Sequence, residues 1–464
     1  MPLRRICLLV ILCLAWLGRA TGQGLPPEVA AALAAEGLPR EAVTVLVAPA
    51  QGGPTRVAHR IDAQVNPASI AKLLTTTAAL DLLGPTFTWN TPVYFDGPVR
   101  DGVLHGNLVV QGVGDPKLVV ERLWLLLQRV QAAGVREIAG DIVLDRSAFV
   151  LPPHDPAAFD AEPLRPYNVG PDALLVNFKT VVLTFTREGA QARLRVDPPL
   201  AGVRWQEAVP LAAGACNAST DWITPLKADW RDPARPRFEG AFIAACGERT
   251  WQVAFPDPAG YAARALAASW RDLGGQLRGT VREGLVPAGL KPAFEFASPP
   301  LAEVVRDINK FSNNVMAQQL FLTLSRQLRG SGSFEASRDI LRQWWRERFG
   351  GEAPVTGNGS GLSRTESITA RQLGQLLQAA WVSPMMPDLV SSLPVLGLDG
   401  TLRRQQQNVG LAHLKTGSLN EVWGVAGYVH GPQGQRFLLV AIANHPRAAA
   451  IRSAVQALVD WTAR

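Results

Sequence analysis

Ser69-Ile70-Ala71-Lys72 is the stretch on which the reading of this chain turns. It opens residues 68–83, which read as a helix closed by Gly84-Pro85. On a helix, a hydroxyl and an amine three residues apart share one face, a single turn from each other. A serine hydroxyl is a weak nucleophile at neutral pH, and an adjacent unprotonated lysine is one of the few groups able to activate it. In the first turn the backbone N–H groups are unpaired, and the local field favours negative charge on the serine oxygen. Ser-x-x-Lys is short enough to recur by chance, so the weight falls on two partners further along. They are Ser312-Asn313-Asn314 and Lys415-Thr416-Gly417.

Each partner supplies something the first motif lacks. Lys72 accepts a proton only if its pKa is depressed by burial or by a second cation, and Lys415 is the obvious second cation. Ser312 and Asn314 share a face if their segment is extended, or meet in a tight turn before the helix that follows. Either way they offer a hydroxyl for proton relay and an amide to hold a carbonyl. Lys415-Thr416-Gly417-Ser418 ends a predicted strand, where Gly417 lets a ligand backbone approach the edge. The Thr416 and Ser418 hydroxyls with Lys415 would grip a carboxylate, and an extended peptide would lie there as an added strand. The backbone N–H groups of Ser69 and Ser418 are the candidates for an oxyanion hole. Singly, the motifs have plainer readings: a cap-region serine, a helix N-cap cluster, a strand end with a turn glycine. Together, in this order and in these settings, they describe an acylating serine.

The flanking patterns give the architecture. Residues 41–48 and 56–61 alternate as strands, and 412–416, 422–429 and 436–444 near the other end read as three more. A final helix, 447–462, would pack across them. One antiparallel sheet built from both ends follows, with helical clusters at 301–328, 335–348 and 369–381 as its partner layer. The middle differs: short strands at 108–111, 141–144 and 181–186, one helix at 118–133 and many Pro-rich loops. The expectation is an α/β protein with a catalytic domain over 23–87 and 261–464. Residues 88–260 form an inserted β-rich region, and the helix at 261–273 re-enters the main domain.

Composition narrows the address. The chain has 464 residues, 47% of them hydrophobic, and a net charge of +7 spread without a dense basic run. No zinc-finger spacing or aromatic-basic RNA motif is visible, which argues against nucleic acid. Arg4 and Arg5, the apolar run 6–17 and small Gly18, Ala20 and Gly22 read as a secretory signal over 1–22, whose apolar run is too short to span a membrane. Cleavage there leaves Cys216 and Cys246, which in an exported protein most simply form one disulfide. The expected destination is periplasmic or otherwise extracytoplasmic, with membrane contact at most peripheral. His105, His413 and His445 lack metal-ligand spacing, so neither metal nor cofactor is assigned.

Taken together, the motifs resemble those of class C low-molecular-weight penicillin-binding proteins of the D-alanyl-D-alanine carboxypeptidase/endopeptidase type. The likeness extends through Gly114-Asp115-Pro116, 140–145, 298–301, Gly359-Ser360-Gly361-Leu362-Ser363-Arg364, and 399–402. It implies a β-lactamase-like transpeptidase domain in which Ser69 is acylated by the penultimate D-Ala of a peptidoglycan stem peptide, or by a β-lactam. It further implies that Glu162 of the insertion and Arg364, with Leu362 and Tyr167 nearby, read the stem-peptide side chain. A zwitterionic diaminopimelate end would suit that pair. Relatives place aspartate where Glu162 stands, and commonly aspartate where this chain has Asn358. A β-lactamase is the alternative within enzymes, but the Glu-x-x-x-Asn signal for a deacylating water is missing. A catalytically silent peptidoglycan-binding protein is the other, and it has little need of a Ser–Lys pair.

Overall fold

The two ends of the chain meet in one sheet. In the computed structural model, which describes residues 24–464, five antiparallel strands run in the order Ala412–Leu419, Val422–His430, Arg436–Asn444, Val43–Pro49 and Val57–His59. The expected signal segment, 1–22, lies outside the described residues. Val45 stands opposite Ala441 and Lys415 opposite Ala426, so residues some four hundred positions apart share a register. The central strands are buried on both faces, which is why Val422–His430 and Arg436–Asn444 are nearly continuous apolar runs. Val45, Val425 and Ala441 face helices α1 (Pro27–Ala35) and α10 (Ile451–Ala463). Leu46, Ala426 and Val440 face the other layer. That layer comprises α2 (Lys72–Leu83), α5 (Leu301–Phe311), α6 (Asn314–Arg329), α7 (Phe334–Phe349), α8 (Ala370–Trp381) and the short α9 (Met386–Ser392). Thr369 caps α8 in a reciprocal arrangement with Gln372.

The insertion is larger than the sequence suggests. Strands Asn90–Asp96 and Phe294–Ala297 pair antiparallel, and Val281–Glu283 joins the same sheet beside Ile142–Asp145. Helix α4 (Tyr261–Asp272) buries Tyr261, Leu266 and Trp270 in one cluster with Leu126 and Val130 of α3 (Val120–Ala132) and Phe185 of a second sheet. The expected return to the catalytic domain at 261 is therefore corrected to about 297. Helical periodicity shows that α4 has an apolar face, but not which core receives it. Cys216 and Cys246 form a disulfide within this unit, and no helix among the described residues is long and apolar enough to cross a membrane.

Two polar joints fix the insertion to the catalytic domain. Gln319 of α6 exchanges hydrogen bonds with the backbone N–H and C=O of Asp172, both at 2.9 Å. The buried Asp172 carboxylate is paired with Arg146 at 2.6 Å and Lys179 at 2.8 Å, so its charge is compensated. Lys117 reaches Asp307 of α5 at 2.6 Å.

Candidate active site

Ser69 sits on a tighter turn than the expected helix. Ala68–Ala71 is a 3-10 turn, and the α-helix proper starts at Lys72. The turn is pressed against two glycines. A Cβ at Gly417 would lie 2.6 Å from the Pro67 carbonyl oxygen, and one at Gly361 would lie 2.0 Å from that of Ala68. Gly417 thus makes room for the turn that carries Ser69. Sequence reasoning assigned that room to a ligand.

Lys72 is fully buried beneath Ser69. Its Nζ lies 2.8 Å from Ser69 Oγ and donates to Asn314 Oδ1 at 2.7 Å and to the Ser360 carbonyl at 2.5 Å. Burial, and then the charge of Lys415, push its pKa well below the usual lysine range, with Glu366 acting in the opposite sense. Lys415 is buried too, which lowers its own pKa to about 7. It donates to Ser312 Oγ and to the Thr416 carbonyl, each at 2.8 Å.

The middle motif is the tight turn of the two geometries foreseen. Ser312 ends α5 in the left-handed region at φ 56°, and Asn313 caps α6 by accepting from the Met316 N–H at 3.1 Å. Asn313 is a helix cap, while its neighbours turn to Lys415 and Lys72. A left-handed non-glycine residue is costly, and here it aims a hydroxyl at a buried amine. Behind this turn Lys310 pairs with Asp399 at 2.6 Å, and the Thr401 and Thr416 hydroxyls are 2.8 Å apart. The 399–402 segment therefore braces the edge strand.

These groups open into a cleft of about 390 Å³. Ser69, Ser312 and Asn314 line it together with Leu362, Arg364, Ser418, Leu419 and Asn420, and Phe159, Asp160 and Tyr167 come from the insertion. Even-numbered positions of Ala412–Leu419 point their N–H groups to the free edge, since Leu414 donates to Pro394 there at 2.9 Å. The Ser418 N–H accordingly faces outward. Arg364 donates to the Asn420 carbonyl at 2.8 Å and lies 4.9 Å over the Phe159 ring. The Tyr167 carbonyl accepts from Asn314 Nδ2 at 3.0 Å, tying the insertion to the catalytic turn.

Glu162 is not among the cleft residues. Its carboxylate lies 3.5 Å from Arg165 on the exposed surface. The acid at the cleft is Asp160, which accepts from Tyr167 Oη at 2.8 Å and Asn168 Nδ2 at 2.7 Å. Burial raises its pKa, but those bonds outweigh it and hold the carboxyl below the usual range. The acid that lines the cleft thus stands two residues before Glu162, in a loop without periodicity. Phe159, Ser360, Glu366 and Asn420 also escaped the sequence. Two of them act through backbone carbonyls, which no side-chain motif reports. Among the described residues no group of three or more His, Cys, Asp or Glu could hold a metal ion.

Fold and motifs define a serine peptidase of the penicillin-binding class. The chain belongs to the D-Ala-D-Ala carboxypeptidase 3 (S13) family, which it matches over residues 25–464. It is 28% identical over 425 residues to a D-alanyl-D-alanine carboxypeptidase of Actinomadura, covering 85% of this chain and 76% of that one. Its fold is that of penicillin binding protein 4 from Haemophilus influenzae, with a TM-score of 0.73, 22% identity, and coverage of 93% and 99%. A predatory endopeptidase of Bdellovibrio bacteriovorus, acylated by penicillin G and complexed with an immunity protein, is similar at a TM-score of 0.50. That match has 15% identity and covers 90% of this chain and 91% of the other.

Proposed function

We propose that the protein cleaves D-Ala-D-Ala bonds of peptidoglycan stem peptides, and the equivalent cross-links, through an acyl-enzyme on Ser69. The observation that carries this is the environment of Lys72. A neutral lysine amine has two N–H donors and one lone pair. The Asn314 and Ser360 oxygens use the donors, which leaves the lone pair facing Ser69 Oγ at 2.8 Å. Burial and Lys415 favour that neutral form.

The steps follow from this geometry. Lys72 Nζ takes the Ser69 proton as Oγ bonds to the penultimate D-Ala carbonyl carbon. The N–H groups of Ser69 and Ser418 receive the developing oxyanion. The C–N bond then breaks, and the departing amine gains a proton from Lys72, with the Ser312 hydroxyl as relay. Water next attacks the ester and restores Ser69. Lys415, Thr416 and Ser418 hold the terminal carboxylate. Arg364 and Asp160, with Tyr167 and Leu362, face the side chain of the stem residue, and an acid and a base so placed suit a zwitterionic end. A β-lactam presents the same carbonyl and carboxylate, so it acylates Ser69 as well. This activity belongs outside the cytoplasm, where the N-terminal signal would deliver the chain.

Incubation with benzylpenicillin, intact mass and peptide mapping test the reading. A stable adduct on Ser69, with release of D-Ala from a D-Ala-D-Ala peptide, is the expected result. Absence of both adduct and turnover would leave a catalytically silent wall-binding protein. Rapid penicillin hydrolysis without an adduct would point to a β-lactamase.

A further inference from the structure

One carboxylate beside this machinery has no part in the steps above. Glu366 is 3% exposed, and its Oε1 accepts from the N–H groups of Gly357 at 3.0 Å and Asn358 at 3.3 Å. Its Oε2 has no hydrogen-bond partner among the described residues. A buried acid left half-unpaired is costly and calls for a reason.

The loop it holds supplies one. The Gly357–Asn358 peptide is gripped from both sides, since Arg338 of α7 donates to the Gly357 carbonyl at 3.1 Å. Asn358 Oδ1 then accepts from the Ser360 N–H at 3.0 Å and hydroxyl at 2.7 Å, and Asn358 Nδ2 donates to the Leu362 carbonyl at 3.2 Å. The chain of bonds ends at the Ser360 carbonyl, which takes an N–H of Lys72 at 2.5 Å. Asn358 is neutral, so Glu366 is the acid of this stretch.

We propose that Glu366 is a positioning residue for acylation. As a carboxylate it clamps the start of the 357–362 loop so that Ser360 presents its carbonyl to Lys72. It also supplies the negative charge that offsets Lys415 at the buried lysine. This inference rests on the Ser69–Lys72 reading given above.

The charged groups bearing on Lys72 are Lys415 from the edge strand and Glu366 from the loop, while Ser69 and Asn314 are neutral. Arg338 bears on the loop from α7. Burial raises the Glu366 carboxyl, and the Gly357 and Asn358 N–H groups, then Lys72 and the Gly361 N–H, act against that rise. Removing a negative charge makes the Lys72 proton easier to lose. Acylation, which needs the neutral amine, then begins at lower pH.

The test is the acylation rate of the full chain by a chromogenic β-lactam across pH. Glu366→Gln should move the acidic limb to lower pH and lower the plateau, by roughly tenfold if the loop slackens. Asn358→Asp, which adds an acid on the same peptide, should move the limb to higher pH. The double variant should return it towards the wild-type position. A fall in plateau with unmoved limbs in both single variants would overturn the proposal and leave Glu366 a neutral structural group. So would unchanged profiles. If Glu366→Gln does not fold by circular dichroism, Asn358→Asp alone decides, and an unmoved limb there overturns the proposal. Wild-type protein that is not acylated at all would instead refute the Ser69 reading.

Discussion

The two walls of the cleft are built on different terms. On the catalytic side Lys72 and Lys415 are fully buried, Lys72 Nζ with three polar partners and Lys415 Nζ with two. On the insertion side Tyr167 is 42% exposed, and Asp160 and Phe159 sit on a loop without regular structure. The first wall is over-determined because proton transfer tolerates little displacement. The second is held by a few hydrogen bonds from Asp160, Asn168 and Asn314. On the proposed reading, chemistry lies in the core and discrimination on a loop docked against it.

Substitutions separate the walls by the size of their effect. Ser69→Ala should abolish the β-lactam adduct in intact mass, and a surviving adduct would place the nucleophile elsewhere. Lys72→Met should slow acylation by about a thousandfold, the usual range for a lost general base, read by stopped-flow with a chromogenic substrate.

Lys415→Gln should cost roughly a hundredfold in kcat/KM for carboxylate-bearing substrates. It should also move the acidic limb to higher pH, since a neighbouring positive charge no longer disfavours protonated Lys72. In the unliganded wild type Lys415 titrates at about 7, so affinity for a carboxylate ligand should fall as pH rises through that value. In Lys415→Gln that fall should vanish.

On the insertion side the effects should be smaller and confined to discrimination. Arg364→Ala should raise KM about tenfold, or roughly 1.4 kcal/mol, for stem peptides ending in a charged side chain, with kcat little changed. Asp160→Asn should act in the same sense and less strongly, while Glu162→Ala should stay within about twofold. If Glu162→Ala proved the more damaging of the last two, the loop would adopt another arrangement with substrate.

Legibility in the sequence follows the same division. The sheet strands, α2, α8 and the three motifs announce themselves, because apolar periodicity and short spacings survive in one dimension. The Ser312 turn was open between two geometries, and only the left-handed backbone there resolves it. The insertion boundary was misplaced by some forty residues, because α4 carries an apolar face that suits either core. Nothing in an irregular loop sets a register, so the sequence does not tell Asp160 from Glu162 as the acid at the cleft. Ser360 and Asn420 contribute backbone carbonyls, and Glu366 lies in a stretch read for its glycines.

The pairing of Val43–Pro49 with Arg436–Asn444 has a consequence for how the molecule comes into being. A chain released from its N-terminus has the whole of residues 93–296, and hence the insertion core, before Lys415 exists. Until almost the full length is made, the first strand has only its hairpin neighbour Val57–His59, and Ser69 has only Lys72. A nascent chain therefore carries Ser69 and Lys72 without Lys415, and the constellation closes only when the last strands pair.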